Sequence, residues 1–433
     1  MQQETSNKNK ATGVRWGVLA LIFVSSLFAY LDRINFSVCA QQLMELFNIT
    51  KLQFGYIGSC FFAAYALMQI PGGMLSDKFG IRSVGAFSLI FFSVATFLTP
   101  FAWSFVALIA LRMFVGAGEG PLYPNVGATF SKWFNSTEKG ITSAMLLVGT
   151  FLGPAIGAVI TVFVSTNFGW RWSFYSYGIL GVLIGLAWFF YVRNRPNEHP
   201  TINDAEIEYI TGKSRAALEA TKPAPIKTPW KNMLSVPRFW AFGLCYFATN
   251  YTMYLFLTWI PVYLSEARGG SFKLSGLYAS LPWLCMCVSV FLAGKWSDAS
   301  VRKGEPKSKA RTRLGFIGMM GCAFGLYAAT KAVSIEMTVA MLCVCMTFLG
   351  LNYIGIWSSS QDLGSKYAAA TTSWMNSWGQ IGGIIAPTLT AIMQLSFGWD
   401  GAFAFSACIP VLGFITWFFI NPDKPIIQEQ EAI

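Results

Sequence analysis

The sequence predicts an all-α membrane protein of twelve transmembrane helices in two pseudo-symmetric six-helix bundles. Three observations carry this prediction: a composition poor in charge, apolar runs of membrane-spanning length, and motifs of the first half that recur in the second. Of 433 residues, 54% are hydrophobic and 12% are charged, against roughly 25% charged in an ordinary soluble domain. Each apolar run is about 20 residues long, enough to cross a hydrocarbon core of about 30 Å as a helix. The spans fall near residues 15–38, 53–75, 82–101, 104–128, 140–164, 173–193, 239–264, 275–298, 313–331, 336–358, 368–395 and 400–421.

The polar opening from Met1 to Gly13 leads into a span too long for a signal-peptide core and without a small-residue cleavage site, so the first span is expected to stay. The resulting organisation is an N-terminal tail (1–14), a first bundle (15–193), a linker (194–238), a second bundle (239–421) and a C-terminal tail (422–433). The tails, the linker and the loops on their side carry 24 of the 31 basic residues. The opposite loops hold only Lys51, Arg171, Arg268, Lys273 and Lys331. By the positive-inside rule both termini face the cytoplasm. A net charge of +11 that alternates loop by loop is not a nucleic-acid-binding stripe. The nine cysteines lie almost wholly in apolar helices, as neither a disulfide framework nor a metal site. No Cys/His cluster, activated nucleophile or phosphate loop suggests an enzyme.

The linker is rich in proline and charge. Within it, Thr201 to Glu206 followed by Ile207, Tyr209 and Ile210 reads as a capped amphipathic helix. The halves repeat: Asn167, Phe168, Gly169 and Trp170 match Ser396, Phe397, Gly398 and Trp399; Gly149 and Gly153 match Gly379 and Gly383; Asp77 matches Asp298. Parallel half-repeats of this kind build two bundles that rock about a central site. Glycines at helical spacing allow close helix packing, and Pro121, Pro154, Pro261 and Pro387 are expected to interrupt and kink their spans.

Between the second and third spans runs Gly72-Gly73-Met74-Leu75-Ser76-Asp77-Lys78-Phe79-Gly80-Ile81-Arg82. It resembles the signature loop of the major facilitator superfamily, Gly-x-x-x-Asp-Arg/Lys-x-Gly-x-Arg, and a weaker copy runs from Gly294 to Lys303. The spacing suggests a cytoplasmic gate of Gly73, Asp77, Lys78, Arg82 and Asp298, in which Asp77 caps or pairs with a facing helix end while Lys78 and Arg82 sit among phosphates.

Four ionisable residues lie inside predicted spans: Asp32 and Arg33 in the first, Arg112 and Glu119 in the fourth. An isolated charge at mid-membrane costs about 2.5–3.5 kcal/mol on insertion scales, so four together imply a purpose. Arg112 and Glu119, seven residues apart, share a helix face. Asp32, Arg33 and Arg112 reach similar depth and are expected to line one cavity. With both acids ionised the quartet is neutral; with both protonated it is doubly positive and holds an anion more strongly, which is the condition for coupling. Packing alone is the competing reading, although buried ion pairs stabilise poorly compared with apolar packing.

Tyr30-Leu31-Asp32-Arg33-Ile34-Asn35, the run from Leu111-Arg112 through Gly118-Glu119-Gly120-Pro121 to Pro124, and Phe256 to Pro261 with Tyr263-Leu264 are similar to the anion:cation symporter family. The linker motif Arg195 to Pro200, with Glu206, Tyr209 and Ile210, resembles its bacterial sugar-acid members, the galactonate, glucarate and hexuronate proton symporters. The resemblance implies a major facilitator fold in a bacterial inner membrane, driving uptake of a small organic anion with protons. It implies that Arg33 holds the substrate carboxylate, that Arg112 joins the clamp or tunes the acids, and that Asp32 and Glu119 take up protons. It also implies substrate contacts from Tyr30, Tyr65, Tyr254, Trp357, Ser358, Asn376 and Gln380. The lipid bilayer is the setting and a monomer the expected state, without nucleic acid, cofactor or metal.

Two positions depart from the galactonate subgroup. Thr150 stands where a glutamine is usual, with Gln380 at the repeat-equivalent place, and Tyr254 stands where a tryptophan is usual. An exchanger or uniporter of another carboxylate or sulfonate is the alternative. Trp374 and Trp378 read as packing, and His199, in the linker, has no proton-relay role.

Overall fold

The computed structural model describes residues 11–135, 138–212, 214–215, 229–364 and 367–427. The outer parts of both tails and much of the central linker lie outside the described residues. What is described is helical throughout: α1 (Val14–Val38), α2 (Ala40–Phe47), α3 (Lys51–Phe79), α4 (Ile81–Leu98), α5 (Phe105–Glu119), α6 (Leu122–Trp133), α7 (Lys139–Phe168) and α8 (Trp170–Tyr191) in the first half. The linker contributes α9 (Asp204–Thr211) and α10 (Trp230–Leu234). The second half holds α11 (Pro237–Glu266), α12 (Phe272–Arg302), α13 (Lys307–Lys331), α14 (Ile335–Gly364), α15 (Ala368–Ser406) and α16 (Cys408–Thr416).

Ten stretches among the described residues are long and apolar enough to cross a membrane, the last running from Ala370 to Phe419. That stretch takes in most of both expected final spans, 368–395 and 400–421, and Gly398 (φ 70°, ψ −179°) kinks the backbone where the sequence places a loop between them. The remaining expected span is α11. Its 30 residues include Thr249, Asn250, Thr252 and Thr258, which lower its hydropathy, yet all four are buried. The middle of α11 is thus protein-enclosed, and these four polar residues face neighbours rather than lipid.

Of the four prolines expected to interrupt spans, only Pro121 coincides with a break, between α5 and α6. Pro154, Pro261 and Pro387 sit inside continuous helices. Trp259 Nε1 of α11 donates to the Pro387 carbonyl on α15 at 3.0 Å.

Among the described residues, contacts group the chain into two units, one of residues 11–32, 63–153 and 171–212, the other of 33–62, 154–170 and 229–427. In the first unit, a Cβ at Gly153 would collide with the Leu27 carbonyl, and one at Gly120 would stand 2.7 Å from both Met68 Cβ and the Tyr65 carbonyl. In the second, a Cβ at Gly379 would be 2.7 Å from the Tyr246 ring. The glycines permit close helix crossings, as their spacing suggests. Trp374 packs as expected: its ring stacks on Phe239 at 4.9 Å and its Nε1 donates to the Phe239 carbonyl.

The linker helix α9 is docked within the first unit. Its N-cap is Asn203, whose Oδ1 accepts from Glu206 N at 3.0 Å, and Gly212 closes it in the left-handed region. Glu206 is fully buried and accepts from Thr12 Oγ1 (2.5 Å), Val14 N (3.0 Å), Arg15 N (3.2 Å) and Arg15 Nη1 (2.9 Å). The carboxylate therefore caps the N-terminus of α1, where the helix dipole favours negative charge. Arg15 also reaches Glu138 at 3.0 Å and lies over the Tyr209 ring. Burial pushes the Glu206 carboxyl up, but the hydrogen bonds from Thr12, Arg15 and Val14 outweigh it and hold it below the ordinary carboxylate range. His199 is buried between Trp133 and Tyr191, and burial followed by the Arg193 charge pushes its imidazole down.

Candidate functional site

All four intramembrane ionisable residues are buried: Asp32 is 1% exposed, Arg33 3%, Arg112 4% and Glu119 1%. In the first unit, Asp32 sits on α1 and accepts a hydrogen bond from Thr96 Oγ1 of α4 at 2.9 Å. Arg112 and Glu119 lie on α5, two turns apart on one face. Tyr30, one turn-half before Asp32, meets the edge of Tyr123 (ring centroids 6.5 Å), and the Tyr123 hydroxyl pairs with Thr150 Oγ1 at 3.2 Å. Thr150 is the position that departs from the galactonate subgroup, and here it is committed to a tyrosine. Tyr65 is buried on α3.

In the second unit, Arg33 lies over the rings of Phe61 (5.2 Å) and Phe62 (5.9 Å). Phe62 in turn packs on Tyr254 at 4.2 Å. Gly383 makes room for that pair, since a Cβ there would stand 2.7 Å from Phe62 and 2.9 Å from Tyr254. Gln380, one turn earlier on α15, is 5% exposed, and its Oε1 takes no hydrogen bond among the described residues. Ser358 and Asn376 are half-buried on α14 and α15.

Trp357 is held by a network that no single motif announces. Its Nε1 donates to Tyr246 OH at 3.1 Å, Tyr246 OH pairs with Tyr353 OH at 3.1 Å, and Tyr353 OH donates to Asn250 Oδ1 at 3.4 Å. Tyr246 and Asn250 are four residues apart on α11, and Tyr353 and Trp357 are four apart on α14. This i,i+4 repetition of polar aromatics on apolar helices is the one sequence signal that points to the network. Thr96 and Tyr123 give no comparable signal.

The expected cytoplasmic gate is arranged differently from its predicted pairing. Asp77 is exposed and has no ion-pair partner among the described residues, and Lys78 lies over the adjacent Phe79 ring at 5.1 Å. The turn is instead built on Gly80 (φ 85°), where a side chain would strike Asn194. Asn194 Oδ1 accepts from Arg82 N at 3.0 Å, and Arg82 Nε donates to the Phe189 carbonyl at 2.7 Å. Asn125 Nδ2 donates to Ser76 Oγ and to the Ile81 carbonyl, both at 3.1 Å. Gly73 lies beside Pro124, a Cβ there standing 3.7 Å away. In the second-half copy Asp298 is 3.6 Å from Arg311 Nη1.

The sequence pattern of the Major Facilitator Superfamily matches residues 22–387. The chloroplastic ascorbate transporter of Arabidopsis thaliana is 30% identical over 416 residues, 96% of this chain and 76% of the relative. The "Probable sulfoacetate transporter" of Cupriavidus necator is 30% identical, covering 94% of this chain and 93% of the relative. The D-galactonate transporter of Escherichia coli is 28% identical, covering 94% and 96%. Among solved structures, a bacterial homologue of the human lysosomal transporter Spinster aligns with a TM-score of 0.76 at 17% identity, over 96% of this chain and 99% of that one. Such a structure speaks for the fold.

Proposed function

We propose, from the premise that this chain belongs to the Major Facilitator Superfamily and is a multi-pass membrane transporter of anions, that it imports a small sugar acid by proton symport with alternating access. The observation that carries this reading is the burial of two bases and two acids, Asp32, Arg33, Arg112 and Glu119, inside membrane-spanning helices. Charges so placed mark ion and substrate pathways, because packing alone does not repay their desolvation. Arg33 holds the substrate carboxylate; its guanidinium presents a planar fork that suits a carboxylate bidentately. Arg112 completes the clamp or tunes the acids. Asp32, held by Thr96, and Glu119 take up the protons that leave the quartet positive and anion-binding. Tyr30, Tyr65, Tyr254, Trp357, Ser358, Asn376 and Gln380 present hydroxyl, amide and indole groups to the polyhydroxy chain. The buried Gln380 carbonyl oxygen supports this, because it can accept a substrate hydroxyl.

The membrane is a bacterial inner membrane, with both termini cytoplasmic and the loop from Gly73 through Asp77, Lys78 and Arg82, with Asp298, as the cytoplasmic gate. A second reading, transport of another carboxylate or a sulfonate without protons, is favoured by the Thr150 and Tyr254 departures and by the sulfoacetate-transporter relative. The test is a thermal-shift screen of purified protein against D-galactonate, D-glucarate, D-glucuronate and sulfoacetate at two pH values. A ligand that binds only the folded state raises its stability. Stabilisation by a sugar acid that grows as pH falls is expected. Stabilisation by sulfoacetate alone, or without pH dependence, would overturn the assignment.

A further inference from the structure

Within the second unit, residues 33–62 and 154–170 of the first half are packed onto second-half helices. α3 begins at Lys51, whose Nζ lies 2.6 Å from Glu266 Oε2 on the last residue of α11. Trp399 Nε1 donates to the same oxygen at 2.8 Å, and Lys51 Nζ stands 5.6 Å from the Trp399 ring centroid. One carboxylate thus receives an ammonium and an indole, and the indole face receives the ammonium. An aromatic row accompanies the triad: Phe36 stacks on Phe54 at 5.1 Å, Phe54 meets Trp259 edge-on at 5.7 Å, and Trp259 meets Trp399 at 5.6 Å. Ser37 Oγ donates to the Thr258 carbonyl at 2.6 Å and Gln41 Nε2 to Ser265 Oγ at 2.8 Å. The contacts of Lys51 with Glu266 and Trp399, of Phe54 with Trp259, of Ser37 with Thr258 and of Gln41 with Ser265 each join a first-half helix to a second-half helix.

We infer that Lys51, Glu266 and Trp399 are the latch of the gate on the membrane face opposite the chain termini. Alternating access moves one repeat against the other around a central site, so opening toward that face requires these cross-half contacts to part. The triad has the chemistry of a contact made and broken each cycle. The Lys51 and Glu266 side chains are 27% and 26% exposed, so on parting both charges pass to water. A fully buried pair would strand them. The neutral hydrogen bonds and ring contacts beside them supply area without direction, whereas the ion pair and the shared indole fix one closed register.

The test needs no substrate, so it stands apart from the sugar-acid reading. Thr258 is 9% exposed on α11, and its Cγ2 would lie 3.9 Å from a Cβ at Gly58 of α3. In a chain whose native cysteines are replaced by serine, Thr258→Cys places a reporter thiol in the seam. Its reaction with a membrane-impermeant maleimide is followed on right-side-out and inverted membrane vesicles. A partly exposed pair shifts a two-state equilibrium by up to about fivefold. Lys51→Gln and Glu266→Gln are therefore expected to speed labelling about three- to fivefold, from the face opposite the termini only. The double swap Lys51→Glu with Glu266→Lys is expected to return the rate to within about twofold of the parent, which also shows that the charges, not misfolding, set it. Trp399→Phe, which keeps a ring and removes the donor, should give a smaller increase. Parent-like labelling in both single variants, or a swap as fast as the singles, would overturn the latch.

Discussion

Arg33 is where the substrate reading is most exposed to refutation. The residue is 3% exposed, and its guanidinium lies over Phe61 and Phe62 at 5.2 and 5.9 Å. Replacing it by Ala has two separable consequences. Loss of the cation–π contacts costs the fold about 0.5–2 kcal/mol, which a protein with ordinary stability survives. Loss of the carboxylate partner in a desolvated setting costs about 2–5 kcal/mol of binding, or roughly 30-fold to several thousand-fold in Kd at about 1.4 kcal/mol per decade. Arg33→Lys keeps the charge and the ring contact but not the fork, and should fall between, at about tenfold. The assay is ligand-induced thermal stabilisation over a concentration series of D-galactonate, run beside proteoliposome uptake. Affinity within about threefold of the parent in Arg33→Ala, for a variant with a normal melting profile, would refute the clamp and move the anion to Arg112.

Asp32→Asn mimics the protonated acid while keeping an acceptor for Thr96; galactonate binding should persist and accumulation against a gradient should be lost in a counterflow-versus-uptake comparison. If Asp32 and Glu119 each carry a proton, a monovalent sugar acid enters with one net positive charge, so an inside-negative potential assists by about 2.3 kcal/mol per 100 mV; valinomycin-clamped uptake that ignores the potential would leave one acid structural. Tyr246→Phe removes the hydroxyl that receives Trp357 Nε1 at 3.1 Å, and should raise KM about three- to tenfold with kcat little changed, at about 0.7–1.4 kcal/mol for one hydrogen bond. The Glu206 carboxyl is held below its ordinary range, so its stabilisation is complete above the unfolded carboxylate pKa and is lost as pH falls through the lower folded value. Melting midpoints of the parent should therefore drop more steeply below about pH 5 than those of Glu206→Gln, and parallel curves would dissolve the α9 clamp.

The sequence by itself determined the membrane class, the twelve spans, the break near Gly398 and the residues whose charge has no business in lipid. These follow from one-dimensional quantities: the length of an apolar run against a fixed hydrocarbon thickness, and the cost of a charge within it. Polar residues such as Asn250 and Thr258 could be seen on α11, but not that the helix is almost continuously buried from Cys245 to Leu264. Only the tertiary structure decided partners. Thr96 with Asp32, Tyr123 with Thr150, Glu206 with the start of α1, and Lys51 with Glu266 and Trp399 join residues on separate helices, some about 200 positions apart. The same holds for Asp77, which the motif pairs with a helix end and which stands exposed, while Arg82 and Asn194 build the turn. Which face of one helix meets which face of another depends on crossing angle and rotation. Those are set by the packing of side chains and close glycine contacts across the bundle, and no local stretch of chain encodes them.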